Sequence, residues 1–222
     1  MIVSIKSLVL GVLLCITSAL SAQDRYPQGL YMSFDEIVNK APSVHDTVYV
    51  IQRSHSSISM VGGNDYELES PTIKSKILKR QAYAYSDGDT LYINCIHYKA
   101  QPWYAKVYSA GEYLMFNAGM SPKSKNNNVG VVATSVAFGA IGGAIGGAKA
   151  AHARYPYVIK VDGNEFDIIG IEFFDKFVLG RTDILYEYLK EKKYAESLAD
   201  KKIKKEFYKS MIEKYTPYIN KQ

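Results

Sequence analysis

The sequence predicts an α+β fold, in which antiparallel β-hairpins form a sheet or a partly rolled barrel and α-helices follow at the C-terminal end. Turn motifs separate three pairs of short apolar runs, which is typical of hairpins in series. From residue 171 onward the spacing of apolar residues becomes helical. An uncharged, glycine-rich segment between the second and third hairpins predicts a glycine-zipper helix inserted late in the sheet.

The first 22 residues follow the order of a secretory signal peptide. Lys6 precedes the continuous apolar stretch Leu8–Ile16, which is too short to span a bilayer, and small residues then lead to a cleavage site. Cys15 lacks a small residue directly before it, so the sequence does not favour a lipoprotein. We therefore expect residues 1–22 to be removed and residues 23–222 to form one exported α+β domain.

The composition argues against several classes of protein. Removal of the signal peptide leaves Cys95 as the single cysteine, so no intramolecular disulfide holds the mature chain. The formal net charge of +5 includes Lys6 and falls to +4 after cleavage, with both signs mixed along the chain. This mixture indicates a soluble surface and no binding of nucleic acid. The nineteen tyrosines suit half-buried strands and, less directly, a surface that contacts a sugar or a partner.

The N-terminal half of the mature chain begins with a helix and a strand. Ser33 and Glu36 form a capping-box pattern that opens a helix to about Lys40. A strand is expected over Thr47–Gln52. The polar, glycine-containing stretch Ser54–Glu69 is expected to form a loop or weak strands.

Three hairpins are expected after this stretch, and their turns contain an Asp-Gly or Ala-Gly pair. The paired runs are Ile77–Tyr85 with Thr90–Ile96, Trp103–Tyr108 with Tyr113–Phe116, and Tyr157–Val161 with Glu165–Ile169. Hairpins in series favour one antiparallel sheet.

Residues 171–219 are expected to form the C-terminal helices. The first covers Ile171–Val178, and Thr182 or Asp183 caps the second. The third carries apolar residues at four-residue steps, namely Ile203, Phe207, Met211 and Tyr215. Its lysines lie mostly off this stripe, which favours a solvated face over a lipid-binding one.

The apolar glycine-zipper segment occupies residues 129–151, and its part Val129–Ala148 carries no charge. Its glycines recur at four-residue spacing, which on a helix forms a smooth face that a second helix can approach closely. These glycines are Gly139, Gly142, Gly143, Gly146 and Gly147. On another face lie the bulkier residues Phe138, Ile141 and Ile145.

Three interpretations of this segment remain open. Each glycine costs a helix in water ~1 kcal/mol against alanine, whereas lipid forces the backbone to satisfy its own hydrogen bonds. The segment therefore favours membrane insertion or formation of a homo-oligomer, and the alternatives are packing against its own domain and a flexible loop. If the strands on both sides share one sheet, the segment cannot cross a membrane once. It then dips into the membrane, self-associates or covers its own domain.

Two resemblances accompany these patterns. Residues 138–151 resemble the glycine-zipper element of bacterial envelope proteins. Residues 29–36, 84–94 and 157–163, together with the glycine rows, resemble a family of uncharacterised secreted proteins of Gram-negative, gut-dwelling bacteria. This second resemblance implies export and the order of elements, and it implies no activity.

No catalytic, cofactor-binding or metal-binding residue is predicted. The four histidines lack helical metal-ligand spacing. Cys95 and His97 would share one face of a strand, which is an arrangement for a metal or a Cys–His nucleophile. Because no third ligand or orienting group is visible nearby, packing is the favoured interpretation. Asp87 and Asp89 fit a tight turn better than a calcium loop.

These observations predict a non-enzymatic, envelope-associated protein in the periplasm, the outer envelope or at the cell surface. Its glycine-zipper helix would serve membrane insertion or self-association. The alternative is a soluble periplasmic or surface binding module whose tyrosines contact a glycan or a peptide. An enzyme is the least supported class.

Overall fold

The computed structural model describes residues 25–98, 100–119 and 152–221, and an antiparallel sheet runs through all three ranges. Its nine strands are β1 (Gly29–Tyr31), β2 (Tyr49–Gln52), β3 (Tyr66–Glu69), β4 (Ala84–Ser86), β5 (Leu91–Asn94), β6 (Tyr104–Ser109), β7 (Tyr113–Ala118), β8 (Tyr155–Lys160) and β9 (Glu165–Ile168). The predicted signal peptide and glycine-zipper segment lie outside the described residues.

Three short helices lie among the first strands and three helices follow the last strand. They are α1 (Phe34–Val38), α2 (His55–Val61), α3 (Ser75–Arg80), α4 (Ile171–Phe177), α5 (Thr182–Ser197) and α6 (Lys201–Tyr215). Single 3₁₀ turns follow β5, α4 and α6, at Cys95–His97, Val178–Gly180 and Thr216–Tyr218. The C-terminal helices thus fall within the predicted range 171–219.

The strand order along the sheet is β1-β4-β5-β6-β7-β8-β9, and every pairing is antiparallel. The hairpin of β2 and β3 branches from this path, because β3 pairs with the start of β6 through Tyr66 and Tyr104. The described strands do not close into a barrel. The predicted α+β class and antiparallel sheet are therefore confirmed.

The three predicted hairpins are present as β4–β5, β6–β7 and β8–β9. The first turn shows why its sequence is specific. Asp87 accepts hydrogen bonds from the backbone N–H groups of Asp89 and Thr90 through Oδ1, at 3.0 and 2.7 Å. Gly88 adopts a positive φ of 100°, which favours glycine. Asp87 and Asp89 therefore build a tight turn, as predicted.

One strand prediction was wrong, and the prediction of a loop or weak strands was right only in part, where tertiary packing outweighs the local pattern. Ile77–Tyr85 was predicted as a strand, but Ser75–Arg80 forms α3, and Leu78 is buried against the sheet. The stretch Ser54–Glu69 contains α2 as well as β3. Ser54 begins α2, because its Oγ accepts a hydrogen bond from the Ser57 N–H at 3.2 Å.

Two helix boundaries and one strand boundary also differ from prediction. Ser33 caps α1, because its Oγ accepts from the Glu36 N–H, but the Glu36 carboxylate accepts from the Met32 and Ser43 N–H groups and not from Ser33. The helix was expected to reach about Lys40 and ends at Val38. Neither predicted residue caps α5, since Arg181 occupies the cap position and holds the Asp183 carboxylate, with Nη2 and Oδ2 2.9 Å apart. The strand predicted to reach residue 96 ends at Asn94.

The two faces of the sheet bury separate apolar clusters. The inner face is the one that carries Ile93, Ala105 and Phe116, and it packs with α1. On this face the rings of Phe116, Tyr157, Phe166 and Tyr98 contact in turn, at centroid distances of 5.8, 4.9 and 5.4 Å. This chain of rings joins β7, β8 and β9 to the turn after β5, so the sheet curls.

The outer face is covered in two parts. Met115 and Val158 of the central strands pack against α4, α5 and α6. Tyr92 and Tyr104 pack against α3 and the β2–β3 hairpin. Strand β5 is therefore buried on both sides along its whole length, whereas Lys106 and Tyr108 on the outer face of β6 are exposed.

Tyrosines supply several of the largest fully buried side chains, and their hydroxyl groups differ in hydrogen bonding. The Tyr104 hydroxyl donates to the Leu78 carbonyl at 2.6 Å, and the Tyr31 hydroxyl donates to the Pro27 carbonyl at 2.8 Å. The buried Tyr157 hydroxyl has no hydrogen-bond partner among the described residues. A buried hydroxyl without a partner costs roughly 1–3 kcal/mol of stability.

We expect Tyr157→Phe to raise the free energy of unfolding by about 1 kcal/mol, because it removes an unsatisfied polar atom and keeps the ring. Tyr104→Phe is the matched control and should lower that free energy by about 1 kcal/mol, because it removes a formed hydrogen bond. Urea unfolding of both variants measures the two effects. Equal destabilisation by both substitutions would contradict the assignment.

Candidate functional site

The predicted site residues of the glycine zipper all belong to the connection between β7 and β8. Gly139, Gly142, Gly143, Gly146 and Gly147 lie outside the described residues, as do Phe138, Ile141 and Ile145. The structure does describe both ends of this connection. Ala118 of β7 and Tyr155 of β8 are directly paired, so both ends emerge from the same end of the sheet.

The first end of the connection is held by Gly119. Its N–H donates to Asn64 Oδ1 at 2.7 Å, and its carbonyl accepts from the Gln101 N–H at 2.6 Å. Asn64 is fully buried, and its amide also donates to the Gln101 carbonyl. A Cβ at position 119 would lie 2.5 Å from Gln101 Oε1, so a larger residue there would displace the Gln101 side chain.

The second end is held by Arg154. Its guanidinium binds the Asp65 carboxylate through Nε and Nη2, and the shorter contact, from Nη2 to Oδ1, is 2.6 Å. Nη2 also donates to the Gly63 carbonyl at 3.1 Å. This bidentate ion pair is partly buried, and bidentate ion pairs are stronger than typical surface ion pairs.

His152 joins the same end to α2. Its Nε2 lies 2.8 Å from the Ser59 hydroxyl, and its ring stacks on the His55 ring at 3.6 Å with an interplanar angle of 10°. The pKa of His152 is lowered, mainly by loss of hydration and also by the neighbouring charges of His55 and Arg154. The imidazole is therefore held in its neutral form to lower pH than in a free peptide.

The loop between α2 and β3 is fixed by Arg53. This buried guanidinium donates to the Gly62 and Asn64 carbonyls, both at 2.8 Å from Nη1. It also lies over the Trp103 ring, 4.8 Å from the centroid. Burial lowers the pKa of Arg53, although a guanidinium stays protonated in proteins.

Two backbone conformations show how tightly this region is built. Gly63 has φ of +91°, and a Cβ there would come 2.2 Å from Trp103 Cδ1. Trp103 itself has φ of 79°, which is unusual for a bulky side chain. Strain of this kind persists only where surrounding contacts enforce it.

We call these residues the anchor cluster: Arg53, His55, Ser59, Gly63, Asn64, Asp65, Gln101, Trp103, Gly119, His152 and Arg154. Its chemistry is that of a clamp. The ends of the β7–β8 connection contact α2, the α2–β3 loop and Gln101, and Arg53 and Trp103 hold that loop in place. Sequence reasoning missed the anchor cluster because its contacts join residues that are far apart in sequence, by 93 residues between Ser59 and His152. The paired glycines before Asn64 were the one local signal.

An exposed apolar pair lies beside the anchor cluster. Met60 and Val61 at the end of α2 are 85% and 71% exposed. They directly follow Ser59, which contacts His152. The exposed pair is therefore at the end of the molecule from which the β7–β8 connection emerges.

Cys95 and His97 do not form a site on a strand. Both belong to the 3₁₀ turn after β5, where Cys95 is fully buried and burial raises the pKa of its thiol. His97 stacks on Tyr83 at 3.9 Å, and its Nε2 donates to the Ala82 carbonyl at 2.9 Å. The structure thus gives both residues packing roles, as the sequence favoured.

In the ranges that the structure describes, no three or more His, Cys, Asp or Glu side chains are grouped for a metal ion. Within the same ranges, no helix has both the length and the apolar character needed to cross a membrane.

The branched antiparallel sheet, the helices packed on its outer face and the clamped β7–β8 connection define an α+β protein with a long insertion between two adjacent strands of the sheet. A comparison with protein families matches residues 29–218 to the Family of unknown function (DUF6563). The chain belongs to this family. Searches of curated proteins and of solved structures gave no match. The predicted membership in a family without an established activity is confirmed.

Asn64→Ala should lower the free energy of unfolding by about 2–3 kcal/mol, because it leaves the buried Gly119 N–H and Gln101 carbonyl without their partner. The exposed Asn39→Ala is the matched control and should cost less than about 0.5 kcal/mol. Urea unfolding measures both. A small effect at Asn64 would show that the clamp adds little stability.

Stability should fall as the pH drops below about 6.5, the pKa of an unfolded histidine. Burial lowers the pKa of His97, so the unfolded chain binds a proton that the folded chain does not, and acid favours unfolding. His97→Gln should flatten part of this fall in thermal unfolding between pH 7 and 5. The exposed His45→Gln should leave the fall in place, and an equal flattening there would contradict the assignment.

Proposed function

We propose that the chain is an exported, envelope-associated, non-enzymatic protein that presents residues 129–148 for membrane insertion or self-association. The observation that supports this proposal best is the direct pairing of Ala118 with Tyr155. It makes the long connection an insertion whose two ends are fixed at one point of a rigid sheet. Such a fixed attachment suits a segment that contacts a membrane or a second copy of the chain.

The same pairing restricts the mode of membrane contact. Strands β7 and β8 share a ladder of six residue pairs, so both ends of the connection lie on the same side of any membrane. One crossing would place the ends on opposite sides. The segment proposed here therefore enters a membrane and returns to the same side, or it packs against the segment of a second copy.

The surface around the anchor cluster favours contact with an apolar phase. Met60 and Val61 are neighbouring apolar side chains with most of their surface exposed. Lys79 lies at the same region, with its Nζ 4.7 Å from the Trp103 ring centroid. Exposed apolar side chains next to a cation are typical of a surface that lies at a membrane–water interface.

Within the segment, small and bulky residues are assigned different roles. Gly139, Gly143 and Gly147 permit close approach of two helix backbones. Phe138, Ile141 and Ile145 provide the apolar surface that enters lipid or a partner. Export of this chain, in a Gram-negative host of the gut-dwelling type, is part of the proposal and is supported by the pattern of residues 1–22.

A second candidate function is a soluble periplasmic or surface binding module for a peptide or a glycan. It is favoured by a cleft of about 750 Å³ between the last strands and α4, which has aromatic walls. This volume lies within the range of about 300–1,000 Å³ that is common for ligand sites.

Fractionation of the native host's envelope tests the first proposal. The wild type is compared with a deletion of residues 129–148, with Gly143→Leu and with the double substitution Met60→Ser/Val61→Ser. Residues 120–128 and 149–151 still connect the paired strands in the deletion, and circular dichroism checks that the sheet is retained. Gly180→Leu is the matched control, because a Cβ there meets no atom within 4 Å.

We expect the wild type to resist carbonate extraction or to sediment as an oligomer, and the deletion to be soluble and monomeric. Gly143→Leu should weaken the oligomer, and Met60→Ser/Val61→Ser should weaken membrane retention alone. Gly180→Leu should behave as the wild type. A wild-type protein that is soluble and monomeric would overturn the proposal and favour the binding module.

A further inference from the structure

A cleft with aromatic walls lies on the outer face of the sheet, beside α4 and away from the anchor cluster. Its floor includes a row across three strands, in which Tyr113 of β7 pairs with Lys160 of β8, and Lys160 pairs with Glu165 of β9. Phe173 and Phe177 of α4 form its wall and meet the Tyr113 ring edge to face, at centroid distances of 5.9 and 6.0 Å.

The charges around the cleft are unevenly neutralised. Each cation in its lining contacts a carboxylate of the chain: Lys160 with Asp162 at 3.3 Å, Lys176 with Asp167 at 3.5 Å, and Arg181 with Asp183 at 2.9 Å. The lining carboxylates Glu112 and Glu165 form no ion pair with any described residue. Two carboxylates of the lining are therefore left outside any ion pair between described residues, whereas each of its three cations is paired.

The aromatic wall already accepts one cation of the chain. The Arg181 guanidinium lies over the Phe177 ring, 5.6 Å from its centroid. Its charge is balanced mainly by Asp183, in a direct ion pair, and more weakly by Glu112. An aromatic wall beside two carboxylates that form no direct ion pair can hold a second cation in the same manner, through ring and charge contacts together.

The position of β9 beside the cleft favours an extended peptide as the source of the bound cation, rather than a small amine. Among the described strands β9 pairs with β8 alone, so its other edge offers backbone groups to a further strand. Glu165, Phe166 and Asp167 of β9 line the cleft, so a peptide along this edge would pass directly beside it. Addition of a peptide to a sheet edge, with a side chain in an adjacent pocket, is a common mode of recognition.

We infer that the cleft binds an extended basic peptide, which lies along β9 and places a lysine or arginine side chain between Tyr113, Phe177 and the carboxylates of Glu112 and Glu165. The chain as a whole carries a net charge of +5, so long-range attraction does not favour this ligand. The affinity for a basic peptide would therefore have to come from the rings and carboxylates of the cleft itself.

Fluorescence anisotropy of the full mature chain with a fluorescein-labelled peptide of alternating lysine and tyrosine tests this inference. Glu112→Gln/Glu165→Gln should weaken binding about tenfold, and acetylation of the peptide's lysines should weaken it at least as much. Both glutamates are exposed, so the variant should keep its fold. Asp46→Asn/Glu206→Gln is the matched control, because it removes the same charge from exposed positions away from the cleft.

The inference is overturned if the wild type does not bind the peptide, or if Glu112→Gln/Glu165→Gln binds it as tightly as the wild type. Equal binding of the acetylated peptide would exclude recognition of a cation. An equal loss of affinity in the control variant would show general charge attraction and would also overturn the inference. Tyr113→Leu should weaken binding at unchanged net charge, and no loss there would remove the aromatic wall from the site.

Discussion

The ladder between β7 and β8 is the interaction on which both apolar clusters of the central sheet depend. Its residues alternate between the two faces, so Leu114 and Phe116 enter the inner cluster while Met115 and Val158 meet the C-terminal helices. A shift of register by one residue would exchange these faces and expose both sets. The fold therefore requires this pairing although a long connection separates the two strands, and closing such a connection costs entropy that grows slowly with its length.

The anchor cluster explains how that cost is offset locally. Asn64 and Gln101 bind the backbone of Gly119 at one end of the connection, and Asp65 binds Arg154 at the other. The partner groups are buried or half-buried, so their hydrogen bonds compete little with water. The two ends are consequently held by the sheet domain whatever the sequence between them contains.

Elements held by contacts between sequence neighbours were predicted correctly, and features held by contacts between distant residues were not. The β4–β5 turn was predictable because Asp87 completes it with its own neighbours, and α6 was predictable because its apolar stripe is local. α3 was not, since Ile77 and Leu78 fit either a strand or a helix and only burial beneath the sheet decides. The anchor cluster could not be predicted at all. Arg154 and Asp65 are unremarkable in sequence and become partners only once β8 lies beside β7.

The buried thiol of Cys95 has a consequence for the timing of folding. In an oxidising compartment an unfolded chain with one cysteine can form a disulfide only with another molecule. Folding removes the sulfur from solvent, and burial raises the pKa of the thiol, so little of the reactive thiolate remains. If the chain is exported as proposed, with Cys95 as its single cysteine, folding would compete with thiol exchange, and covalently linked dimers would mark the molecules in which exchange came first.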